Sequence, residues 1–216
     1  MCIRDRGHDN EPGEFIEWLH STQPDIVFVQ EIDGRWADAL RSLDGEYPYQ
    51  KLVPRVDNFG IGVVSRLQFL DGRLIGEPDH GEPSLLVKLA ISDRPVTILS
   101  SHAPPPIGRE MTAARNGQLG FLADTMRSTP GPKILTGDLN ISMWAYHYEQ
   151  LLDGTGLRDA RRGRGVMPSW PTFFPIAMIP IDHCLVSSEF AVMDMHTGPA
   201  IGSDHLPLVA VIGLRN

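Results

Sequence analysis

Residues 133–140 read KILTGDLN, an apolar run from Ile134 that ends in Gly137, Asp138, Leu139 and Asn140. A run of this length without polar alternation is expected of a strand covered on both faces. Asp138 and Asn140 are two positions apart, so an extended backbone aims both at the same side. The same pattern, apolar strand and polar end, recurs along the chain. DIVFVQE (25–31) ends on Glu31 and PVTILSSH (95–102) ends on His102. FGIGVVS (59–65), SLLVKLAIS (84–92), IDHCLVS (181–187), FAVMDMH (190–196) and LPLVAVIGL (206–214) add further strands bounded by Gly, Pro, Asp or Ser. SLLVKLAIS, Asp93 and PVTILSS predict a hairpin. Helical spacing is found at Phe15, Ile16 and Leu19, at Trp36, Leu40 and Leu43, and at Leu119, Leu122 and Met126. Eight strands with so few helices between them do not fit a doubly wound parallel sheet. They predict a mixed α/β sandwich, two β-sheets face to face with helices outside.

The chain has 216 residues, enough for one large domain with a substantial core. Its 27 acidic and 19 basic residues give a net charge of −8, which argues against bulk electrostatic attachment to nucleic acid while leaving room for a local basic patch. There is no apolar stretch of transmembrane length and no signal-peptide core in these residues. With only Cys2 and Cys184, a disulfide framework is excluded, and Cys184 within IPIDHCLVSS is expected to be a small buried hydrophobe.

Polar groups at strand ends are where a rigid sheet can aim loops into one cleft. Glu31, His102, Asp138, Asn140, Asp182, Ser203, Asp204 and His205 all sit there. Taken singly, an Asp or Glu at a strand end is more often a cap, and a lone His a rim or core residue. Taken together, carboxylates and an amide carbonyl suit a hard, oxygen-seeking cation such as Mg²⁺. Zinc would ask for His and Cys at closer spacing, and no HExxH or CxxC is present. A GxSxG elbow and a glycine-rich phosphate loop are also absent. A metal, an oriented His–Asp pair and a second His describe water attack on phosphorus.

The ordered set QE, SSH, GDLN, IDH and GSDHLP resembles the endonuclease/exonuclease/phosphatase superfamily from about Asp25 to Leu214. The resemblance implies a four-layer α/β sandwich and a hydrolase of phosphoester bonds, most of all phosphodiesters, that depends on Mg²⁺ or Mn²⁺. By the same resemblance Glu31 binds the metal, and Asp204 is a further candidate ligand. His102 stabilises the phosphoryl group or protonates the leaving group. Asp138 and Asn140 orient the attacking water and hold the phosphate. Asp182 holds the catalytic histidine, His205, and the general base is Asp138 or His205. His183, next to Asp182 on one strand, should face the other way and serve the structure.

The resemblance also implies a first strand bearing a metal-binding asparagine, and MCIRDR does not match it. Residues 1–10 are accordingly expected to be a non-native or truncated start, like a translated adaptor, of a bacterial member whose domain spans 11–216. The first strand is expected to be missing, its sheet position open and metal binding weakened. Asn10 is a substitute ligand only if its default turn role fails. Arg162 and Trp170, in a stretch with Arg158, Arg161 and Arg164, are candidate substrate contacts, Arg162 clamping phosphate and Trp170 stacking on a base or sugar. The competing reading is a solvated loop and a core tryptophan. Asn58 is a strand cap or a substrate contact. The substrate (nucleic acid, lipid or small phosphodiester) stays open, the domain is expected to be a soluble monomer, and its localisation depends on whether an anchor precedes it. The alternative function is a non-catalytic module that binds a phosphorylated ligand or a protein on the same fold.

Overall fold

Side chains that alternate along buried strands produce three separate cores, and three cores separate four layers. The computed structural model describes residues 2–4, 12–76 and 82–215. Its strands are β1 (Cys2–Arg4), β2 (Ile26–Gln30), β3 (Tyr49–Val53), β4 (Ile61–Ser65), β5 (Phe69–Ile75), β6 (Ser84–Ile91), β7 (Arg94–Ser100), β8 (Lys133–Asp138), β9 (Arg158–Asp159), β10 (Asp182–Val186), β11 (Phe190–Thr197) and β12 (Leu208–Leu214). The helices are α1 (Gly13–Thr22), α2 (Gly34–Arg41), α3 (Gly108–Ser128) and α4 (Tyr146–Thr155). Two six-stranded sheets run in the orders β11-β12-β1-β2-β4-β3 and β5-β6-β7-β8-β10-β9.

Between the sheets, Phe28, Ile61 and Val63 meet Leu85, Val87, Leu89, Ile98, Ile134, Cys184 and Val186. On the outer face of the first sheet, Val27, Val29 and Val64 pack under Phe15, Leu19, Trp36 and Leu40 of α1 and α2. On the outer face of the second, Leu86, Leu99, Leu135 and Leu185 pack under Leu119, Leu122 and Met126 of α3 and Tyr148 and Leu151 of α4. Residue by residue, Phe28 turns inward while Val27 and Val29 turn outward, and Ile134 and Leu135 divide in the same way. Both faces are dry, which is why these strands read as continuous apolar runs. The four-layer sandwich expected from the sequence is thus the observed fold.

The open first-strand position is corrected by the structure. Cys2–Arg4 fills it, parallel to β2 (Cys2↔Phe28, Ile3↔Val29, Arg4↔Gln30) and antiparallel to β12 (Cys2↔Leu208). Unpaired N–H and C=O groups in mid-sheet are costly, so facing backbones recruit a strand whatever its side-chain pattern. Asn10 lies outside the described residues. The hairpin is present: β6 and β7 pair antiparallel around Ser92 and Asp93, whose φ values of 50° and 61° make the mirror-image turn that strand twist favours. Strands β3, β5 and β9 were not expected. They lie at or near sheet edges, are largely half-buried, and so carry no continuous apolar run. Among the described residues no helix is long and apolar enough to cross a membrane.

Candidate active site

The alternation that builds the inter-sheet core also decides where the polar residues point. Phe28 faces inward, and Gln30 two residues later shares its side; Ile134, Thr136 and Asp138 share another, as do Val186, Cys184 and Asp182. At their ends these strands therefore exchange apolar groups for polar ones at one mouth of the space between the sheets. Asp138 and Asp182 are register partners on neighbouring antiparallel strands, which sets the two carboxylates side by side.

Gln30 joins the sheets there. Its Nε2 donates to the Ser101 carbonyl at 2.7 Å and its Oε1 accepts the Asp138 N–H at 3.0 Å. The next residue, Glu31, is buried and has φ 58°, a left-handed conformation that is uncommon for a glutamate and turns its carboxylate into the site. His102 lies between two carboxylates, its Nε2 3.8 Å from both Glu31 Oε1 and Asp138 Oδ2. Asp138 Oδ1 accepts the Asn140 N–H at 2.8 Å. Asn140 has φ 46°, and its amide donates to the Ala103 carbonyl at 2.8 Å, locking the side chain beside Asp138.

His205 completes the row. Its Nδ1–H donates to Asp182 Oδ2 at 2.7 Å, so in the neutral ring the lone pair sits on Nε2, 3.9 Å from Asp138 Oδ2. The loop that carries it is pinned: the His205 N–H meets Ser203 Oγ at 3.0 Å, and the Leu206 N–H meets the Ser169 carbonyl at 2.8 Å. Asp204 accepts the Trp170 indole N–H on Oδ2 at 3.0 Å, while its Oδ1 is buried without a hydrogen-bond partner among the described residues. The Trp170 ring lies 6.3 Å from that of His205.

Glu31, His102, Asp138, Asn140, Asp182 and His205 thus converge, with Asp204 and Trp170 beside His205. Asn58 is exposed in a left-handed turn at the rim, where the following Phe59 packs 5.1 Å from the His102 ring. Arg162 is not brought to this cluster. Its backbone N–H bonds the Asp159 carbonyl, and its side chain lies with Val186, at the far end of β10 from Asp182. The sequence reading missed Gln30, Phe59 and Arg115. Arg115 donates to the Asn140 carbonyl at 2.7 Å from the buried face of α3. Its signal was a charged residue on the apolar stripe with Leu119, Leu122 and Met126. Also missed were Phe173, Phe174 and Ile176, large apolar groups exposed just beyond Trp170.

His183 faces the other side of β10, against Tyr148 at 4.6 Å. Its Nε2–H donates to the Ile141 carbonyl at 2.7 Å, and its Nδ1 accepts from Arg161. Burial first, then the Arg161 charge, push its pKa down to about 3. Unfolded histidine titrates near ~6.5, so between these values the unfolded chain holds the extra proton and stability falls as pH falls. Above pH ~6.5 the residue contributes no slope; at pH 5 it should cost about 2 kcal/mol relative to pH 8. Urea unfolding of the parent and of His183→Gln at both pH values checks this: the gap between them should narrow at pH 5, and a constant gap would contradict it.

The donor set fits a hard divalent cation. Glu31 and Asp204 offer carboxylate oxygens, and the unpartnered Asp204 Oδ1 is a buried acceptor of the kind a cation or its water satisfies. Among the described residues no three His, Cys, Asp or Glu side chains converge closely enough to hold an ion unaided. Mg²⁺ commonly keeps several waters and takes one or two carboxylates together with substrate phosphate.

Comparison with known proteins gives one family and many similar folds. The family described as Endonuclease/Exonuclease/phosphatase family matches residues 7–205. The structure of D. rerio TDP2 complexed with single-strand DNA product superposes with TM-score 0.80 at 16% identity over 98% of this chain and 97% of that one. An endonuclease/exonuclease/phosphatase from Beutenbergia cavernae gives TM-score 0.81 at 18% identity, covering 99% and 70%. One from Bacteroides vulgatus gives 0.80 at 18%, covering 99% and 97%. No curated protein matches the sequence.

Proposed function

Since the chain belongs to the endonuclease/exonuclease/phosphatase family, we propose that it is a divalent-metal-dependent hydrolase of phosphodiester bonds. The observation that carries this is the row Asp182–His205–Asp138, an imidazole held in one tautomer with its open nitrogen toward a second carboxylate. His205 Nε2 takes the proton of the attacking water, Asp182 stabilises the imidazolium that results, and Asp138 orients the water. Asn140 and His102 hold the phosphoryl oxygens or the leaving group. Glu31 and Asp204 would hold Mg²⁺, with Mn²⁺ an expected substitute. Bound there, the cation would offset negative charge growing on the phosphoryl oxygens.

A nucleic-acid substrate is the best-supported class. Trp170 offers an aromatic face beside His205 on which a base can stack, and Phe173 and Phe174 are exposed just after it in the chain; the D. rerio TDP2 structure is complexed with single-strand DNA product. The net charge of −8 confines attraction to such local contacts. The converged catalytic set weighs against a binding module, which needs only part of it.

The test is release of nitrophenol from bis-nitrophenyl phosphate across a Mg²⁺ titration. Activity should require the metal, and Glu31→Gln should raise the half-activating Mg²⁺ concentration by about tenfold or more, the loss of one charged ligand interaction. Turnover in excess chelator would sink the metal role, and an unchanged titration in the variant would remove Glu31 from it.

A further inference from the structure

The arginines of residues 158–165, RDARRGRG, take no part in the catalytic row, yet three of them converge elsewhere with a fourth. Arg158, Arg162, Arg164 and Arg215 line a cavity of about 150 Å³ beside Val186 and Val192. Val186 ends β10 opposite Asp182, and four residues of strand put the cavity about 13 Å from the reacting groups. One water needs only ~10–15 Å³ of such space, so the cavity has ample room for a five-heavy-atom oxyanion.

Three of these guanidiniums are fixed by main-chain carbonyls and not by carboxylates. Arg158 Nη2 and Arg215 Nε both donate to the Phe190 carbonyl at 3.0 Å, and Arg164 Nη2 donates to that of Val192 at 2.5 Å. Among the described residues none of the four arginines forms an ion pair, and Arg158 Nε is buried without an acceptor. The one carboxylate on the cavity wall, Asp159, is already taken by Arg161 at 3.0 Å and the Tyr148 hydroxyl at 2.5 Å. Carbonyl anchors fix direction but leave charge uncancelled. Four like charges gathered in a chain of net charge −8, with N–H groups left over, are the arrangement that binds a phosphate in bidentate fashion.

We propose that this cavity is a second anion site, separate from the reacting centre, for a phosphate group. It depends on none of the catalytic assignments. The full chain, ¹⁵N-labelled, is titrated with inorganic phosphate at constant ionic strength while arginine Nε–Hε signals are followed. Arg158 and Arg215 should shift and saturate, and Arg115, beside Asn140, reports separately on phosphate at the catalytic site. Arg162→Gln with Arg164→Gln, both exposed positions, should weaken the Arg158 response at least about tenfold. Without phosphate this variant should melt no lower than the parent, since it relieves repulsion. Pyrophosphate and a short single-stranded DNA separate the sources of the group: pyrophosphate binding more tightly than the oligonucleotide marks a free small anion, the reverse a strand phosphate, and either supports the site. Signals that stay still, that shift equally with chloride, or that respond identically in the double variant would overturn it.

Discussion

Asp182→Asn should lower kcat for phosphodiester hydrolysis about 10³-fold with the fold intact, and His205→Ala should do the same. The carboxylate accepts Nδ1–H at 2.7 Å and is 1% exposed, so it fixes the tautomer and, in the proposed mechanism, would face the imidazolium as it forms. An asparagine keeps the volume but can present its amide to Nδ1. The ring would then carry its proton on Nε2, the nitrogen that the proposed mechanism needs as acceptor. Because the two residues act as a unit, the double variant should lose scarcely more than either single one, whereas independent contributors would multiply their losses. Steady-state kinetics of the three variants, with circular dichroism as a folding control, decides the matter. Near-parental turnover in Asp182→Asn would show that the row is architectural and that the proton leaves by another route.

Most of this site could be read from residue order because it lies at the ends of strands whose apolar runs are unmistakable. Glu31 follows DIVFVQ, and Asp138 and Asn140 end KILTGDLN; the alternation that packs Ile134 into the core places Asp138, while left-handed backbones at φ 58° and 46° turn Glu31 and Asn140 toward it just past their strands. What escaped was set by pairing across the fold. Gln30 looked like an ordinary strand residue, and its role depends on Ser101 and Asp138, 71 and 108 positions away. Residue order puts Arg162 near Trp170, which leaves a phosphate clamp and a solvated loop as its two readings. Yet β9 carries it to the Val186 end of β10, while the 203–206 loop ties Trp170 to the Asp182 end. The first strand escaped for a different reason. Cys2–Arg4 is held by backbone pairing to β2 and β12, and backbone pairing leaves no periodicity to detect.

Gly137 shows how tightly the two sheets are joined at the site, and Gly137→Ala should be the most destabilising small substitution there. The residue has φ 135°, and a Cβ built on it would lie 2.0 Å from the Ser101 carbonyl oxygen and 2.5 Å from Gln30 Nε2. Neither neighbour can yield cheaply. The Ser101 N–H is bonded to the Thr136 carbonyl at 3.0 Å, and Gln30 bridges Ser101 to Asp138. A strained φ costs about 1–3 kcal/mol and overpacking a comparable amount, so about 3 kcal/mol or more is expected. For a chain of this size that is a fall in Tm of roughly 6–12 °C. Gly131→Ala is the control, since it has φ 74° and nothing within 4 Å of the added Cβ; it should cost only about 1–2 kcal/mol, the penalty of a left-handed backbone alone. Urea unfolding of both variants separates the clash from the backbone term. If Gly137→Ala loses no more than Gly131→Ala, the Gln30 bridge is soft, and Asp138 owes its position to Asn140 and the β10 pairing instead.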